Sequence, residues 1–425
     1  MMKGCMKDMK KKVLAFAAAA VLMAPQMVGA EGFAIYEWSA EGLAMGGARM
    51  FAENDAANLA YNPASITKVQ GEAAKISATY LSPHGKYDLK GTIPGYETGH
   101  NRVHPAWAPG MYYVKQMNDK EWFGMGTYSR FGMVSQFERN SAAGSNAFSS
   151  KLNGISLGMN YARKIDKKWA ASLGAEINYV GLEIDKNFMA PTVAQSPLHV
   201  EGDTYALGWN AAANYTFDDK NEMGVVYRSK IKHSMEADYD IHGYAAVLST
   251  GGTATSLAGD AYGVVTLPES LDIGYSHKFN DKTRVEARYT WTRWDRYEAL
   301  NIGVNPSIMG LPSLDSAKNW SNGQRFAIGL EHKFSDKYTG LLGIAHDKSS
   351  IPYYGGDFMI PTGTRTTYGI GAQYHDKKQT LAFSLAWMNV GSLDFAGHAP
   401  TDTFTSAHTR DSYTKIASIS YQRNF

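Results

Sequence analysis

The sequence predicts an all-β membrane protein: a 14-stranded antiparallel transmembrane β-barrel with an N-terminal helical hatch, or plug, in its lumen. Three observations predict it. The chain opens on a secretory signal. Apolar and polar residues alternate with period two through most of the remaining chain. Short polar turns of one kind recur at regular spacing.

Residues 1–30 have the layout of a signal peptide. Lys10, Lys11 and Lys12 form a basic n-region, and Val13 to Ala24 form an apolar h-region too short to cross a bilayer as a helix. Val28, Gly29 and Ala30 supply small residues before a cut ahead of Glu31. Met9 would serve as initiator as well as Met1. The other reading is a retained anchor, but no later segment of about 20 apolar residues supports helical insertion. The expectation is Sec-type export to the outer membrane.

The signal holds five Lys and one Asp; without them, 42 basic and 40 acidic residues become 37 and 39, a net charge of −2. That balance gives no electrostatic case for nucleic acid. Cys5, the only cysteine, precedes the h-region. The mature chain therefore has no disulfide, thiol metal site or lipoprotein cysteine. The full chain has 26 Tyr, 9 Trp and 42 Gly, with charged residues at 19%. Tyr and Trp favour membrane interfaces, where one end of the ring is dry and the other wet.

Residues 31–72 differ from the rest. Ser39 to Phe51 mixes small residues and glycines without alternation, while Asn54, Asp55, Asn58 and Asn62-Pro63 supply caps and turns. Short helices and turns are expected. A barrel of about fourteen strands has a lumen too wide for side chains alone to fill, and a plug is the simplest use for this segment. A disordered tail would be more charged and would lack Phe33, Ile35, Trp38, Leu43, Phe51 and Leu59.

Residues 73–425 are assigned to the barrel. Tyr205, Leu207, Trp209, Ala211, Ala213, Tyr215 and Phe217 share one strand face; Val285, Ala287, Tyr289 and Trp291 alternate with Arg284, Glu286, Arg288 and Thr290. A soluble β-sandwich also alternates, so the signal, the aromatic strand ends and the length of the array decide for membrane. Six turns cut the region into seven segments: 118–120, 166–168, 218–221, 280–282, 335–337 and 376–378. Each segment holds two strands and a loop, giving 14 strands, periplasmic turns and periplasmic termini. The outer loops are expected near 84–105, 137–150, 185–203, 237–267, 298–323, 348–364 and 390–412. The last strand carries Tyr413, Ala417, Ile419 and Tyr421 on one face and stops at Phe425. Arg423 interrupts that face at a level where a long basic chain can snorkel.

An ordered set of motifs resembles the FadL family of outer-membrane transporters. They are Gly32-Phe33, Ser39-Ala40-Glu41-Gly42-Leu43, Gly46-Gly47 and Asn62-Pro63-Ala64, followed by Leu207-Gly208-Trp209-Asn210-Ala211, Tyr227-Arg228-Ser229, Leu267-Pro268-Glu269 and Arg325-Phe326-Ala327-Ile328-Gly329. The resemblance implies a hatch-plugged barrel that moves long-chain fatty acids, or in some members aromatic hydrocarbons. Substrate would land on an apolar groove between outer loops, pass to a buried pocket and leave through a gap made by a kink in the third strand. The matching kink is Tyr128 to Met133, with Arg130, Phe131 and Gly132 at its centre; Arg130 stands where the resemblance implies a smaller polar residue. Gly132 is expected to take a backbone shape closed to other residues. Phe33 matches the aromatic that contacts the pocket, and Lys186 and Lys318 lie closest to the cations that hold a carboxylate. Either lysine could equally be a solvated loop charge. Phe188, Met189, Ala190, Pro191 and Val193 in the third loop, with Tyr244 and Leu248 in the fourth, supply apolar residues for landing or for packing the loops together.

The rivals are an outer-membrane hydrolase, a general porin and a structural or adhesive barrel. His277, His332 and His346 sit near strand ends, but no Gly-x-Ser-x-Gly accompanies them. Nothing resembles a nucleotide loop or a metal-ligand cluster, so no cofactor is expected and uptake should be passive. The expected partners are the hydrophobic ligand, outer-membrane lipid and, during biogenesis, the barrel assembly machinery.

Overall fold

The structure is a computed structural model that describes residues 32–188, 196–397 and 402–425. The signal segment, Met189, Ala190, Pro191 and Val193 lie outside the described residues, as does part of the seventh loop.

Fourteen strands close into one antiparallel barrel. They are β1 (Glu72–Lys90), β2 (Ala106–Asn118), β3 (Glu121–Tyr128, resuming at Gly132–Gln136), β4 (Ser149–Lys164), β5 (Trp169–Asn187), β6 (Pro197–Thr216) and β7 (Asn221–Arg228, then Ile231–His242). The second half comprises β8 (Ser256–Leu267, then Ser270–Lys278), β9 (Thr283–Thr292), β10 (Gly323–Lys333), β11 (Tyr338–Lys348), β12 (Arg365–His375), β13 (Gln379–Val390) and β14 (Ser406–Asn424). Closure is made by β14 on β1, in register from Ala73↔Asn424 to Lys90↔Ser406 with one irregularity at His84/Lys86.

The six short turns all join neighbouring strands at one end of the barrel, as the spacing predicts. Their chemistry is local. The Asp166 carboxylate accepts the N–H groups of Lys168 and Trp169, and Asp218 does the same for Lys220 and Asn221. Such bonds satisfy turn donors that no strand partner reaches. The opposite end departs from a plain loop reading in two places. The stretch predicted as a loop at 237–267 is mostly strand, with β7 running to His242, β8 starting at Ser256 and a helix α1 (Tyr244–Ser249) between them. Likewise 298–323 contains a hairpin, Ala299–Ile308 with Leu311–Ala317. Alternation continues there, so the strands outrun the membrane.

Outward positions are apolar: Leu207 is 77% exposed and Tyr205 68%. The alternate residues face inward, and there Arg284, Glu286, Arg288 and Thr290 are buried. Lipid accepts the first set and a filled polar lumen the second.

The filling is the hatch. From Gly32 to Thr67 every residue except Glu53 and Asn54 is buried. It contains a short helix α2 (Ala40–Ala44), capped by the Ser39 hydroxyl accepting from Gly42 N–H, a second turn of helix (Asn58–Tyr61) and a 3-10 segment (Pro63–Lys68). Gly46 takes φ +60 with its Cα against the backbone of Ile344, a site that a Cβ would close. Asn62 fixes the turn twice: its Oδ1 accepts from Ala64 N–H at 3.2 Å, and its Nδ2 donates to Asn214 on β6 at 2.7 Å. Pro63 starts the 3-10 segment, and Ala64 packs with Met50, Phe51, Ala212 and Val226.

Candidate ligand site and wall opening

The wall is interrupted in β3. The lower half pairs with β2 up to Met111↔Thr127 and with β4 up to Tyr128↔Ser156. Above the interruption the strand pairs with β4 alone, starting at Gly132↔Asn153. Between those two pairs β3 advances four residues and β4 three, so one extra residue is bulged out at Ser129–Phe131. The top of β2, Ala106 to Gly110, then pairs with β1 and not with β3. The ladder is open at this level.

The hatch seats itself on the interruption. Ile35 N–H donates to Arg130 O at 2.8 Å, Gly132 N–H to Phe33 O at 2.9 Å and the Trp38 indole to Ser129 O at 2.6 Å. The expectation for Gly132 is corrected here: it does not take a positive φ, and it begins the regular upper strand. The close approach falls instead on Gly154 of β4, where a Cβ would stand 2.4 Å from Phe131 O.

Phe33 lies in a buried ring cluster. Its centroid is 4.7 Å from Trp294, 5.8 Å from Tyr297, 5.9 Å from Phe131 and 6.2 Å from Trp320. Above it lies a cavity that reaches Gly32, Met133, Phe137 and Phe358. Met359 belongs both to that cavity and to a further one of about 360 Å³ near the loop end. The outer cavity is lined by Lys186, Phe188, Ile184, Leu300, Ile302 and Leu314.

The predicted site residues therefore divide. Lys186 and Phe188 share the outer cavity, with the ammonium 5.9 Å from the ring. Lys318 is buried and ion-paired to Asp357, and its Nζ also donates to Ser316 Oγ at 3.0 Å. It is therefore not a solvated loop charge, and it already has a carboxylate. Tyr244 and Leu248, on α1, are about half exposed and line neither cavity. Arg130 is buried, 3.2 Å from Glu176, and lies over the Phe131 ring. His277, His332 and His346 bond Asn221, Thr283 and Thr366, respectively.

Sequence reasoning missed Trp294, Tyr297, Trp320 and Asp357. The run from Trp291 to Tyr297 held the available signal, because five of its seven residues are aromatic or basic and the alternation ends there.

Residues 21–425 match the family described as Outer membrane protein transport protein (OMPP1/FadL/TodX). The long-chain fatty acid transport protein of Escherichia coli K12 is 25% identical over 89% of this chain and 92% of its own length. Outer membrane protein P1 of Haemophilus influenzae Rd is 26% identical, with 86% and 87% covered. Among solved structures, a Pseudomonas aeruginosa FadL homologue shares the fold at a TM-score of 0.82 and 18% identity, over 93% of this chain and 100% of that one. The Pseudomonas putida toluene transporter TodX does so at 0.70 and 16%, over 92% and 99%.

Proposed function

The chain belongs to the outer-membrane transport protein family of FadL and TodX, and on that premise we propose that it takes up long-chain fatty acids or related hydrophobic compounds passively. It is a transport protein of the outer membrane, not an enzyme. One observation carries the substrate reading: the ladder is open at Ser129–Phe131, and the ring cluster headed by Phe33 lies immediately behind the opening. A pore for polar solutes needs neither an apolar store nor a sideways break.

In this reading residues 1–30 are removed, 31–72 serve as hatch and 73–425 as barrel. The apolar outer face contacts outer-membrane lipid, and the barrel assembly machinery inserts the chain. Phe188, Tyr244 and Leu248 receive the ligand at the loop end, and Lys186 meets an acid group at the outer cavity. The tail then passes Met359 to the Phe33 cluster and leaves beside Arg130, Phe131 and Gly132. Apolar surface moved from water into such a lining gains about 25 cal/mol per Å², which holds the ligand on its path; that gain is returned on release, so net uptake follows the ligand gradient.

A second reading has its own support. Asp357 neutralises Lys318, which suits an uncharged aromatic hydrocarbon. The test uses cells lacking their own fatty-acid transporter, with and without this protein, supplied with labelled oleate or toluene. Entry of either above the empty-vector rate supports the transport reading and chooses between ligands. Entry of neither, with small sugars admitted, overturns it in favour of a general porin.

A further inference from the structure

We propose that a small arginine-lined cavity behind the wall opening is a second station for the ligand's acid group, a carboxylate site distinct from Lys186 and Lys318. The inference rests on the transport reading above and narrows its substrate to carboxylates with long apolar tails.

The cavity lies at the junction of hatch and wall, and Ala34, Ile35 and Phe131 of the interruption line it. Three guanidinium groups also line it, those of Arg130, Arg228 and Arg288, each at most 4% exposed. Their carboxylate partners are fewer. Arg130 pairs with Glu176 at 3.2 Å. Asp272 is the carboxylate that serves the other two, through Arg228 Nη1 at 2.8 Å and through Arg288 Nε and Nη2 at 3.0 and 2.8 Å, while Arg228 Nη2 donates to Ala60 O and Arg288 Nη1 to Gly47 O at 2.9 Å. Thr290 Oγ1 donates to the same carboxylate at 2.7 Å. Within this set of groups three guanidinium ions thus share two carboxylates, those of Asp272 and Glu176.

Burying charge is costly unless it is well paired, and two guanidinium groups that share the single Asp272 carboxylate make a place that favours a further anion. One donor is free to bind it. Arg228 Nε is buried and makes no hydrogen bond among the described residues; the Tyr128 hydroxyl is a further polar neighbour of the same guanidinium. The Trp38 ring lies 5.6 Å from Arg228 and 5.8 Å from Arg288, which fixes both planes. The space is about 20 Å³, enough for one small polar group and too little for a hydrocarbon chain. The chain has its own place next door, in the ring cluster that Phe131 shares with Phe33. An acid group in the cavity would therefore leave its tail against the opening.

Arg228→Gln tests the assignment, because Asp272 keeps both bonds from Arg288 and is no longer shared between two guanidinium groups. Purified full-length protein is compared with the parent for equilibrium binding of oleate and oleyl alcohol. Oleate binding should weaken roughly ten- to a hundredfold, as for a lost charge-assisted contact, while binding of the alcohol is unchanged. Equal weakening of both ligands would mean that Arg228 only supports the fold and would overturn the site. No change in either would mean that an inorganic anion such as chloride fills the cavity, which overturns the assignment as well. If Arg228→Gln gives no heat-modifiable barrel, Arg288→Gln ends the same sharing and must show the same selectivity. A parent protein that binds neither ligand would instead sink the transport reading itself.

Discussion

Between Glu41 and Lys68 the hatch is held to the wall by buried charges, whereas between Gly32 and Tyr36 it is held by backbone bonds and ring edges. In the lower stretch Lys75 of β1 meets Glu41 and Asp55, both at 2.8 Å, and Arg49 meets Asp55 at 3.1 Å and Glu331 of β10 at 2.8 Å. Glu286 of β9 accepts the N–H groups of Met50 and Phe51. At the tip, two backbone bonds join Phe33 and Ile35 to β3, Phe33 makes aromatic contacts, and the Arg288 and Arg325 guanidinium groups lie over the Tyr36 ring without an ion pair to it. The two kinds of contact respond differently to displacement. Parting a buried ion pair costs about 3–5 kcal/mol and leaves a bare charge. An aromatic pair is worth about 0.5–1.5 kcal/mol beyond its area, and rings can re-stack on a new neighbour. The lower stretch is built as a seal, and the tip as a surface that a ligand can share.

The strongest way to break this comparison is to delete residues 33–60. The barrel should still fold and show heat modification, ion conductance in planar bilayers should rise steeply, and oleate uptake should vanish. Unchanged conductance would mean that the segment seals nothing. Lys75→Met addresses the lower stretch alone. It removes the cation from Glu41 and leaves Asp55 to Arg49, should cost about 3–5 kcal/mol in a denaturant titration, and should raise conductance. Phe33→Ala addresses the tip alone. It should weaken ligand binding by about 1.5–3 kcal/mol and leave conductance at the parent level. A rise matching that of Lys75→Met would erase the distinction between the two ends.

Two smaller effects sharpen it. Asp357→Asn releases Lys318 and should tighten oleate about tenfold without altering toluene binding, read by equilibrium dialysis of both. The turns supply a control far from the hatch tip. Asp166 and Asp376 are held below the usual carboxylate range, first by the backbone N–H groups of Lys168 and Lys378, and Asp218 first by the Asn221 side chain. A depressed folded value contributes stability that is complete above the unfolded value, 3.8 for Asp, and is lost as pH falls through the folded one. Acidification below about pH 4 should therefore lower the melting temperature slightly. Replacing all three by Asn should flatten that part of the profile and leave conductance unchanged.

The strands and turns were legible because their signals are local. Period-two faces such as Tyr205 to Phe217 need no partner to be recognised, and an Asp followed by Lys makes its own turn. Charges at alternate positions, Arg284, Glu286 and Arg288, already implied a polar lumen. The site was less legible, because its contacts join strands far apart in sequence. Nothing near Lys318 points to Asp357, which lies in a connection without alternation. Trp294 and Trp320 face Phe33 across the barrel, and no spacing rule links the three. The segment Tyr128 to Met133 spans the interruption, and Arg130 and Phe131 lie within it, but Gly132 begins the regular strand above while the irregularity falls on Ser129–Phe131.

The closing seam also holds the hatch. Ala56 N–H donates to Gln422 Oε1 at 2.9 Å, and Gln422 Nε2 donates to Asn54 O at 2.6 Å. Those partners are separated by more than 360 residues, and Gln422 lies in the strand that joins the end of the chain to its beginning. The hatch thus acquires part of its lock from the strand that closes the barrel. Until β14 is paired with β1, the hatch lacks these bonds, and contacts so distant in sequence form slowly. The plug is therefore fully latched only in the closed barrel, and opening the seam between β14 and β1 would release Asn54 and Ala56 from it.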